Sequence, residues 1–191
     1  MKVGVLALQG AFREHVEVLE ALGITTAEVR TPEHLAAVDA LFLPGGESTT
    51  VGKLLGTSGL LDELAARLRD GMPAFGTCAG LILLATHVLD GRPDQPSLGA
   101  LDATVRRNAY GTQLQSFEAP LTVSGFHGGT FPGVFIRSPV IESVGATVSV
   151  LAEHEGRPVL CRQGNVCAST FHPELSGDLR VHQWFLNEVV A

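Results

Sequence analysis

A cysteine between two glycines carries the strongest chemical signal in the sequence. Gly76-Thr77-Cys78-Ala79-Gly80 has the spacing of a nucleophile elbow, glycine-x-nucleophile-x-glycine, and lies between a strand-like and a helix-like segment. Such a turn strains the backbone at the nucleophile, and side chains at the glycine positions would clash. The N-terminus of the following helix favours a thiolate over a thiol. The motif predicts a nucleophilic cysteine, although a small buried cysteine in a tight turn would have the same residues.

A histidine and a glutamate offer the base that such a cysteine needs. In an extended segment, His172 and Glu174 point to the same side because they are two residues apart. Glu174 can then accept a hydrogen bond from one imidazole nitrogen and leave the other nitrogen facing the thiol. The segment follows a predicted strand, at the carboxyl edge where open α/β sheets place their active sites. Without Cys78, a surface histidine beside a surface glutamate would be the simpler interpretation.

A pair of glycines follows the strand that ends at Leu43. The sequence there is Pro44-Gly45-Gly46-Glu47-Ser48, and backbone N–H groups beside such glycines are free to bind an anion, as an oxyanion hole requires. A phosphate-binding loop is excluded, because five residues rather than four separate Gly46 from Gly52 and Leu54 replaces the Ser or Thr that would hold magnesium. The pattern predicts an oxyanion loop.

The segments that position these motifs alternate between strand and helix in the first half of the chain. Apolar runs predict buried parallel strands over 3–8, 24–29, 40–43 and 73–76, and helical spacing of apolar residues predicts helices over 12–22, 60–68 and 79–87. Strands that alternate with helices indicate a parallel sheet with right-handed crossovers.

Short strand-like segments dominate after about residue 97. They cover 98–106, 113–123, 146–154, 158–163 and 165–171, with hairpin turns predicted at Gly156-Arg157 and Gly164-Asn165, and a last helix covers 179–190. We therefore predict a three-layer, flavodoxin-like α/β fold, with a mostly parallel central sheet flanked by helices and antiparallel additions in the second half. Neither a repeat nor a linker interrupts the pattern, which predicts a single domain over 1–191.

Composition excludes several classes of function. The chain of 191 residues has a formal net charge of −7, which argues against a nucleic-acid binder, and its apolar runs are too short to span a membrane. Three cysteines without C-x-x-C spacing favour a reducing, cytoplasmic setting, with Cys161 and Cys167 expected in the core. No metal spacing is found among the other histidines, so packing or surface roles are expected for them: His15, His34, His87, His127, His154 and His182.

Six motifs, in the same order along the chain, resemble the class I, or triad, glutamine amidotransferases. Among that family, the glutaminase subunits of pyridoxal 5′-phosphate synthases are the most similar. The motifs are Leu8-Gln9-Gly10, Pro44-Gly45-Gly46-Glu47-Ser48-Thr49-Thr50, Phe75-Gly76-Thr77-Cys78-Ala79-Gly80, Arg107-Asn108-Ala109-Tyr110-Gly111, Phe135-Ile136-Arg137 and Phe171-His172-Pro173-Glu174.

The resemblance implies a role for each matching residue. Cys78 would attack the side-chain amide of L-glutamine, with His172 as base and Glu174 as the orienting acid. The resemblance places oxyanion-binding N–H groups at Gly46 and Ala79. It also implies that the glutamine is surrounded by Gly46, Glu47, Ser48, Arg107, Ile136 and Arg137.

The partner that the resemblance implies is a pyridoxal 5′-phosphate synthase subunit that receives the ammonia, and no cofactor is implied for this chain. Two departures from the family pattern are Thr112, where a second arginine is usual, and a longer glycine-rich segment over 124–132. Three alternatives stay open: a class I glutaminase of another synthase, a non-catalytic flavodoxin-like regulatory module, and a hydrolase or protease that uses the same triad.

Overall fold

The first half of the chain alternates strands and helices. The computed structural model describes residues 1–92, 94–107 and 116–190. Strand and helix bounds up to the elbow are β1 Lys2–Leu6, α1 Phe12–Ala21, β2 Thr25–Val29, α2 Pro32–Ala36, β3 Ala40–Leu43, α3 Ser48–Thr57, α4 Leu60–Arg69, β4 Ala74–Thr77 and α5 Ala79–Leu84. In the described residues, no helix has the length and apolar character that crossing a membrane requires.

Strands dominate the second half. They are β5 Ala85–Leu89, β6 Leu101–Arg106, β7 Ser116–Leu121, β8 Phe131–Ile136, β9 Val140–Val144, β10 Ser149–His154, β11 Arg157–Gln163 and β12 Val166–Ser169. A short 3₁₀ helix over Pro173–Leu175 follows, then α6 over Arg180–Phe185, which continues as a π-helical turn over Leu186–Val190.

A seven-stranded sheet organises the fold. Its strand order is β10-β11-β12-β4-β3-β1-β2, with the five strands from β12 to β2 parallel and the pairs β10-β11 and β11-β12 antiparallel. A three-stranded sheet, β5-β6-β9, and a two-stranded sheet, β7-β8, accompany it. The prediction of a mostly parallel sheet with antiparallel additions is confirmed.

Side chains of the parallel strands alternate between two apolar clusters. Leu41 and Leu43 of β3 pack in one cluster with residues of α3, α4 and α5, whereas Phe42 packs in the other with Leu19 of α1 and Phe185 of α6. Because successive side chains of a strand point to opposite faces, both faces of the sheet are covered. The predicted three layers are confirmed.

The structure departs from the sequence predictions at the end of α5, at β8 and β9, and at the turn between β10 and β11. The helix predicted over 79–87 ends at Leu84, and β5 begins at Ala85 and pairs with β6. Strands β8 and β9 were not predicted. The turn between β10 and β11 uses Glu155 and Gly156, both with positive φ, one residue earlier than the predicted Gly156-Arg157.

Parts of two sequence predictions lie outside the described residues. These are 108–111 of the Arg107–Gly111 motif with Thr112, and residues 113–115 of the strand predicted over 113–123.

Candidate active site

The nucleophile elbow forms as predicted. Cys78 joins β4 to α5 with φ 51° and ψ −99°, a conformation with positive φ that is rare for a residue other than glycine. A methyl group on Gly76 would lie 2.6 Å from the carbonyl carbon of Gly80, and one on Gly80 would overlap the carbonyl oxygen of Leu43. The two glycines are therefore needed for the close approach of β3, β4 and α5.

The histidine and the glutamate are in contact. His172 Nδ1 lies 2.7 Å from Glu174 Oε1, and both side chains are almost completely buried. The backbone N–H of His172 donates to the carbonyl of Val134 at 2.8 Å, which fixes the segment against β8. The expected extended conformation is wrong beyond His172, because Pro173 starts the 3₁₀ helix, yet the two side chains still meet.

The thiol, the imidazole and the glycine loop converge at one edge of the sheet. Cys78 follows β4, His172 follows β12 and Gly45 follows β3, and these three strands are parallel neighbours, so their carboxyl ends lie together. A methyl group on Gly45 would lie 3.0 Å from His172 Nδ1 and 3.3 Å from Cys78 Cβ. The absence of a side chain at Gly45 thus leaves room for the two reactive groups.

Hydrogen bonds and neighbouring charges shift the pKa values of His172 and Glu174. Burial lowers the pKa of His172, but hydrogen bonds with Cys78 and Glu174 outweigh it and raise that pKa to about 10. Burial raises the pKa of Glu174, and the imidazoles of His15 and His172 outweigh that effect and hold it below its ordinary value. At neutral pH the arrangement is an imidazolium paired with a carboxylate.

The glycine loop is tied to the turn after β1. The carbonyl oxygen of Gly45 accepts from the backbone N–H of Ala11 at 3.0 Å, and the side-chain oxygen of Gln9 accepts from the N–H of Glu47 at 2.8 Å. On the other side, the N–H of Gly45 donates to Thr77 Oγ1 at 3.0 Å. Gly45 is therefore held through both of its backbone polar groups.

Four of the predicted glutamine contacts lie at this loop. Gly46, Glu47 and Ser48 lead into α3, and Arg107 Nη2 reaches Glu47 Oε1 at 3.3 Å and Thr49 Oγ1 at 3.0 Å. Gln95, which sequence reasoning missed, accepts from Arg107 Nη1 at 3.3 Å. Arg107 is therefore held at the loop by Glu47 and Thr49 at the start of α3 and by Gln95 from the segment before β6.

The other two predicted contacts lie at the end of β8. Ile136 is the last residue of that strand, and the next residue, Arg137, has φ 44°. Val134 of the same strand accepts the backbone hydrogen bond from His172. Ile136 and Arg137 therefore continue a strand that contacts the catalytic histidine candidate.

Glu47 also serves as the N-cap of α3. Its carboxylate accepts from the N–H of Thr49 at 3.0 Å and from the N–H of Thr50 at 2.7 Å. Partial burial raises the pKa of Glu47, but the hydrogen bonds from Thr50 and Thr49 lower it to about 2. The capping interaction is therefore made by the ionised carboxylate.

Replacing Glu47 with alanine should lower the free energy of unfolding by about 0.5–2 kcal/mol, because two N–H groups of the first turn lose their acceptor. A carboxylate with a lowered folded-state pKa stabilises the fold fully above its ordinary value of 4.5, and this stabilisation is lost as pH falls towards 2. The difference between wild type and Glu47→Ala in urea unfolding should shrink over that range. Glu17→Ala, at an exposed mid-helix position, is the control and should show no comparable difference.

Sequence reasoning missed a group of buried polar residues behind the pair. His15 and His182, for which packing or surface roles were expected, are fully buried, as is Thr77. His15 lies four residues before Leu19 on the apolar face of α1, and His182 lies beside Val181 on that of α6. A histidine on an apolar stripe was the signal for burial. Cys161 and Cys167 are buried in β11 and β12, as predicted.

A parallel α/β sheet with a cysteine elbow and a His–Glu pair at its carboxyl edge defines the architecture of the class I glutamine amidotransferases. The profile of the SNO glutamine amidotransferase family matches residues 5–191, and the chain belongs to that family.

Relatives and a solved structure agree with this placement. The chain is 56% identical over 187 residues to the pyridoxal 5′-phosphate synthase subunit PdxT of Roseiflexus sp. (strain RS-1), covering 97% of this chain and 99% of that protein. It is 55% identical over 189 residues to the protein of the same name from Streptomyces coelicolor, covering 99% and 94%. A crystal structure of a glutamine amidotransferase superposes with a TM-score of 0.91 at 55% identity and covers 97% of both chains. The resemblance found in the sequence is confirmed.

Proposed function

We propose that the chain is the glutaminase subunit of a pyridoxal 5′-phosphate synthase, which hydrolyses L-glutamine and passes ammonia to a synthase partner. The single observation that carries the proposal is the convergence of Cys78, the His172–Glu174 pair and Gly45 at one edge of the sheet. The names of the relatives support the identity of the partner. A setting in the cytoplasm and a single domain over 1–191 are part of the proposal.

Cys78 is the proposed nucleophile and His172 the proposed proton carrier. The proton of the Cys78 thiol passes to His172, the resulting thiolate attacks the carbon of the glutamine side-chain amide, and the carbonyl oxygen becomes an oxyanion. His172, which carries a proton at neutral pH, gives that proton to the amide nitrogen, the C–N bond breaks, and ammonia leaves behind a thioester. His172 then takes a proton from water, whose oxygen attacks the thioester carbon. The C–S bond breaks, glutamate is released, and the sulfur leaves as the thiolate that began the cycle.

Glu174 and the backbone support these steps. Glu174 accepts from His172 Nδ1, which leaves Nε2 to exchange the proton with sulfur, amide and water. The N–H groups of Gly46 and Ala79 are the proposed oxyanion donors, since Ala79 follows Cys78 at the elbow and Gly46 follows Gly45 at the facing loop. Donors at the start of α5 and in the loop after β3 allow the oxyanion to be held from two directions.

The substrate-binding proposal uses the residues around the loop and the end of β8. Gly46, Glu47, Ser48 and Arg107 lie together, and an arginine suits the α-carboxylate of glutamine. Ile136 and Arg137 complete the proposed set from β8.

We expect the isolated chain to be a poor glutaminase that the synthase partner activates by a factor on the order of 10²–10³, the effect of one oxyanion donor. The peptide between Gly45 and Gly46 can rotate at little steric cost, and its carbonyl is held by Ala11 in the turn after β1. A partner that moves this turn would therefore reorient the Gly46 N–H. The measurement is glutamate release with and without purified synthase subunit.

The same assay separates the alternatives. Synthase added to Cys78→Ala is the control and should release no glutamate. A full rate from the chain alone, unchanged by synthase, would contradict the activation mechanism. No glutamate release even with the synthase would favour a regulatory module, and isolation from cells of a different synthase bound to the chain would favour another glutaminase.

A further inference from the structure

A buried polar cluster lies directly behind the proposed triad. His15 of α1 stands at its centre, with Nε2 at 3.3 Å from Thr77 Oγ1 and 3.4 Å from Glu174 Oε2, and with Nδ1 at 2.9 Å from His182 Nε2 of α6. The side chains of His15 and Glu174 are both completely buried. Polar groups placed this deep are costly unless they are paired, so the cluster needs an explanation beyond packing.

The contacts select one arrangement of protons. Burial lowers the pKa of His15 despite the nearby Glu174 carboxylate, and burial also lowers that of His182, so both imidazoles are neutral. A proton on His15 Nε2 faces the carboxylate favourably, whereas a lone pair there would be repelled. His15 Nδ1 then accepts from His182 Nε2–H, and His182 Nδ1, which has no hydrogen-bond partner among the described residues, is left with a lone pair rather than a buried N–H.

One oxygen of Glu174 depends on this proton. Oε1 is engaged by His172, while Oε2 receives no hydrogen bond from the described residues and has His15 Nε2 at 3.4 Å. A carboxylate held on one side only can rotate about its last torsion, which is broad. The N–H of His15 supplies a second direction of attraction that restricts this rotation.

Thr77 extends the cluster to the glycine loop. Its hydroxyl oxygen accepts from the N–H of Gly45 at 3.0 Å and lies 3.3 Å from His15 Nε2. A single threonine therefore connects the cluster behind Glu174 to the loop that carries the proposed oxyanion donor. Thr77 also precedes Cys78 in the elbow. A shift of the Thr77 side chain would therefore affect the polar cluster, the Gly45 loop and the elbow.

We propose that His15, with its tautomer set by His182, is a positioning residue that aims Glu174 at His172 and, through Thr77, fixes the Gly45 loop. This inference rests on the proposed function, since it assigns a supporting role for the same triad. His15 does not touch the reacting atoms. Its effect should appear in turnover rather than in glutamine binding.

Two variants of His15 separate its two contacts. Asparagine places its amide near the position of Nδ1 and so keeps an acceptor for His182 but nothing towards Glu174. In His15→Gln, the longer side chain reaches the position of Nε2. It keeps an N–H towards Glu174 and Thr77 but loses the contact with His182. We expect His15→Asn to lower kcat of the chain with its synthase partner by about 10–100-fold with KM almost unchanged, and His15→Gln to recover most of the loss.

The pH profile gives a readout that packing alone would not move. The titratable groups facing Glu174 are His172 and His15, and those facing His15 are Glu174, His172, His182 and Glu14. Without the His15 N–H the pKa of Glu174 rises, so the carboxylate protonates earlier as pH falls. The acidic limb of kcat should move to higher pH in His15→Asn and stay near that of wild type in His15→Gln.

The outcomes are distinct. The inference would be overturned if His15→Asn folds and keeps the kcat and the acidic limb of wild type, or if the two His15 variants lose activity equally. In either case, an active wild type and an inactive Cys78→Ala would show that the proposed triad itself still holds. If His15→Asn does not fold, Thr77→Val and Thr77→Ser take its place, because valine removes the hydroxyl and serine keeps it. A lower kcat in Thr77→Val but not in Thr77→Ser would support the connection through the Thr77 hydroxyl. Equal kcat values in the two variants would overturn it. Wild type that releases no glutamate with its partner would instead reject the proposed function.

Discussion

Glutamate release should fall by a factor on the order of 10⁴–10⁶ when Cys78 is replaced by alanine, because the proposed nucleophile that forms the thioester is removed. The fold should remain, since the backbone bonds of residue 78 to Ser169 and Ile82 do not involve the side chain. Alanine also fits where a nearly buried cysteine stood. The measurement is kcat in the presence of the synthase subunit, with a thermal melt to establish folding.

The two other cysteines provide the control. Cys161 and Cys167 are fully buried, and burial raises the pKa of each thiol to about 12, so neither is ionised at neutral pH. An electrophilic analogue of glutamine should therefore label Cys78 and spare both. Cys161→Ala should be labelled and active like wild type. Labelling at Cys161 or Cys167 in the native protein would overturn the assignment of the nucleophile.

Local patterns predicted the parallel part of the fold and failed where pairing is long-range. The apolar runs of β1, β3 and β4 predicted buried strands, and a glycine follows each of them within four residues. No such punctuation separates α5 from β5, so the run 79–87 looked like one helix. The strand character of Ala85–Leu89 comes from its pairing with β6, and periodicity alone does not contain that contact.

The proposed triad was accessible from the sequence because its parts are short and local. Cys78 lies in a five-residue motif, and His172 and Glu174 are two residues apart. His15 and His182 are 167 residues apart, and only the packing of α1 and α6 on the same face of the sheet brings them together. A histidine on an apolar stripe predicts burial, but its partners depend on the finished fold.

The geometry of the His172–Glu174 pair predicts unequal losses when each member is changed. Replacing His172 with alanine removes the proton carrier and should lower kcat by a factor on the order of 10⁴–10⁶. Glu174→Gln keeps an oxygen that can accept from Nδ1 but removes the negative charge, so a loss on the order of 10²–10⁴ is expected.

The charge explains why the second loss is not small. Glu174 is one of the groups that raise the pKa of His172 to about 10, so its neutralisation lowers that pKa and weakens the imidazolium. The side-chain amide that Glu174→Gln introduces also carries two N–H donors. If its NH₂ group is turned towards His15, it meets the N–H of His15 Nε2 rather than an acceptor. In Glu174→Gln, kcat should therefore fall, and the alkaline limb of its pH profile should lie at lower pH than in wild type.

Both variants are to be compared with wild type in the complex with synthase, with Glu17→Gln on the exposed side of α1 as the control for loss of a carboxylate. Equal losses for His172→Ala and Glu174→Gln would mean that Glu174 does more than orient the imidazole. Wild-type kcat in Glu174→Gln would remove Glu174 from the triad. An intermediate loss, with the altered alkaline limb, is the result that an orienting carboxylate 2.7 Å from Nδ1 requires.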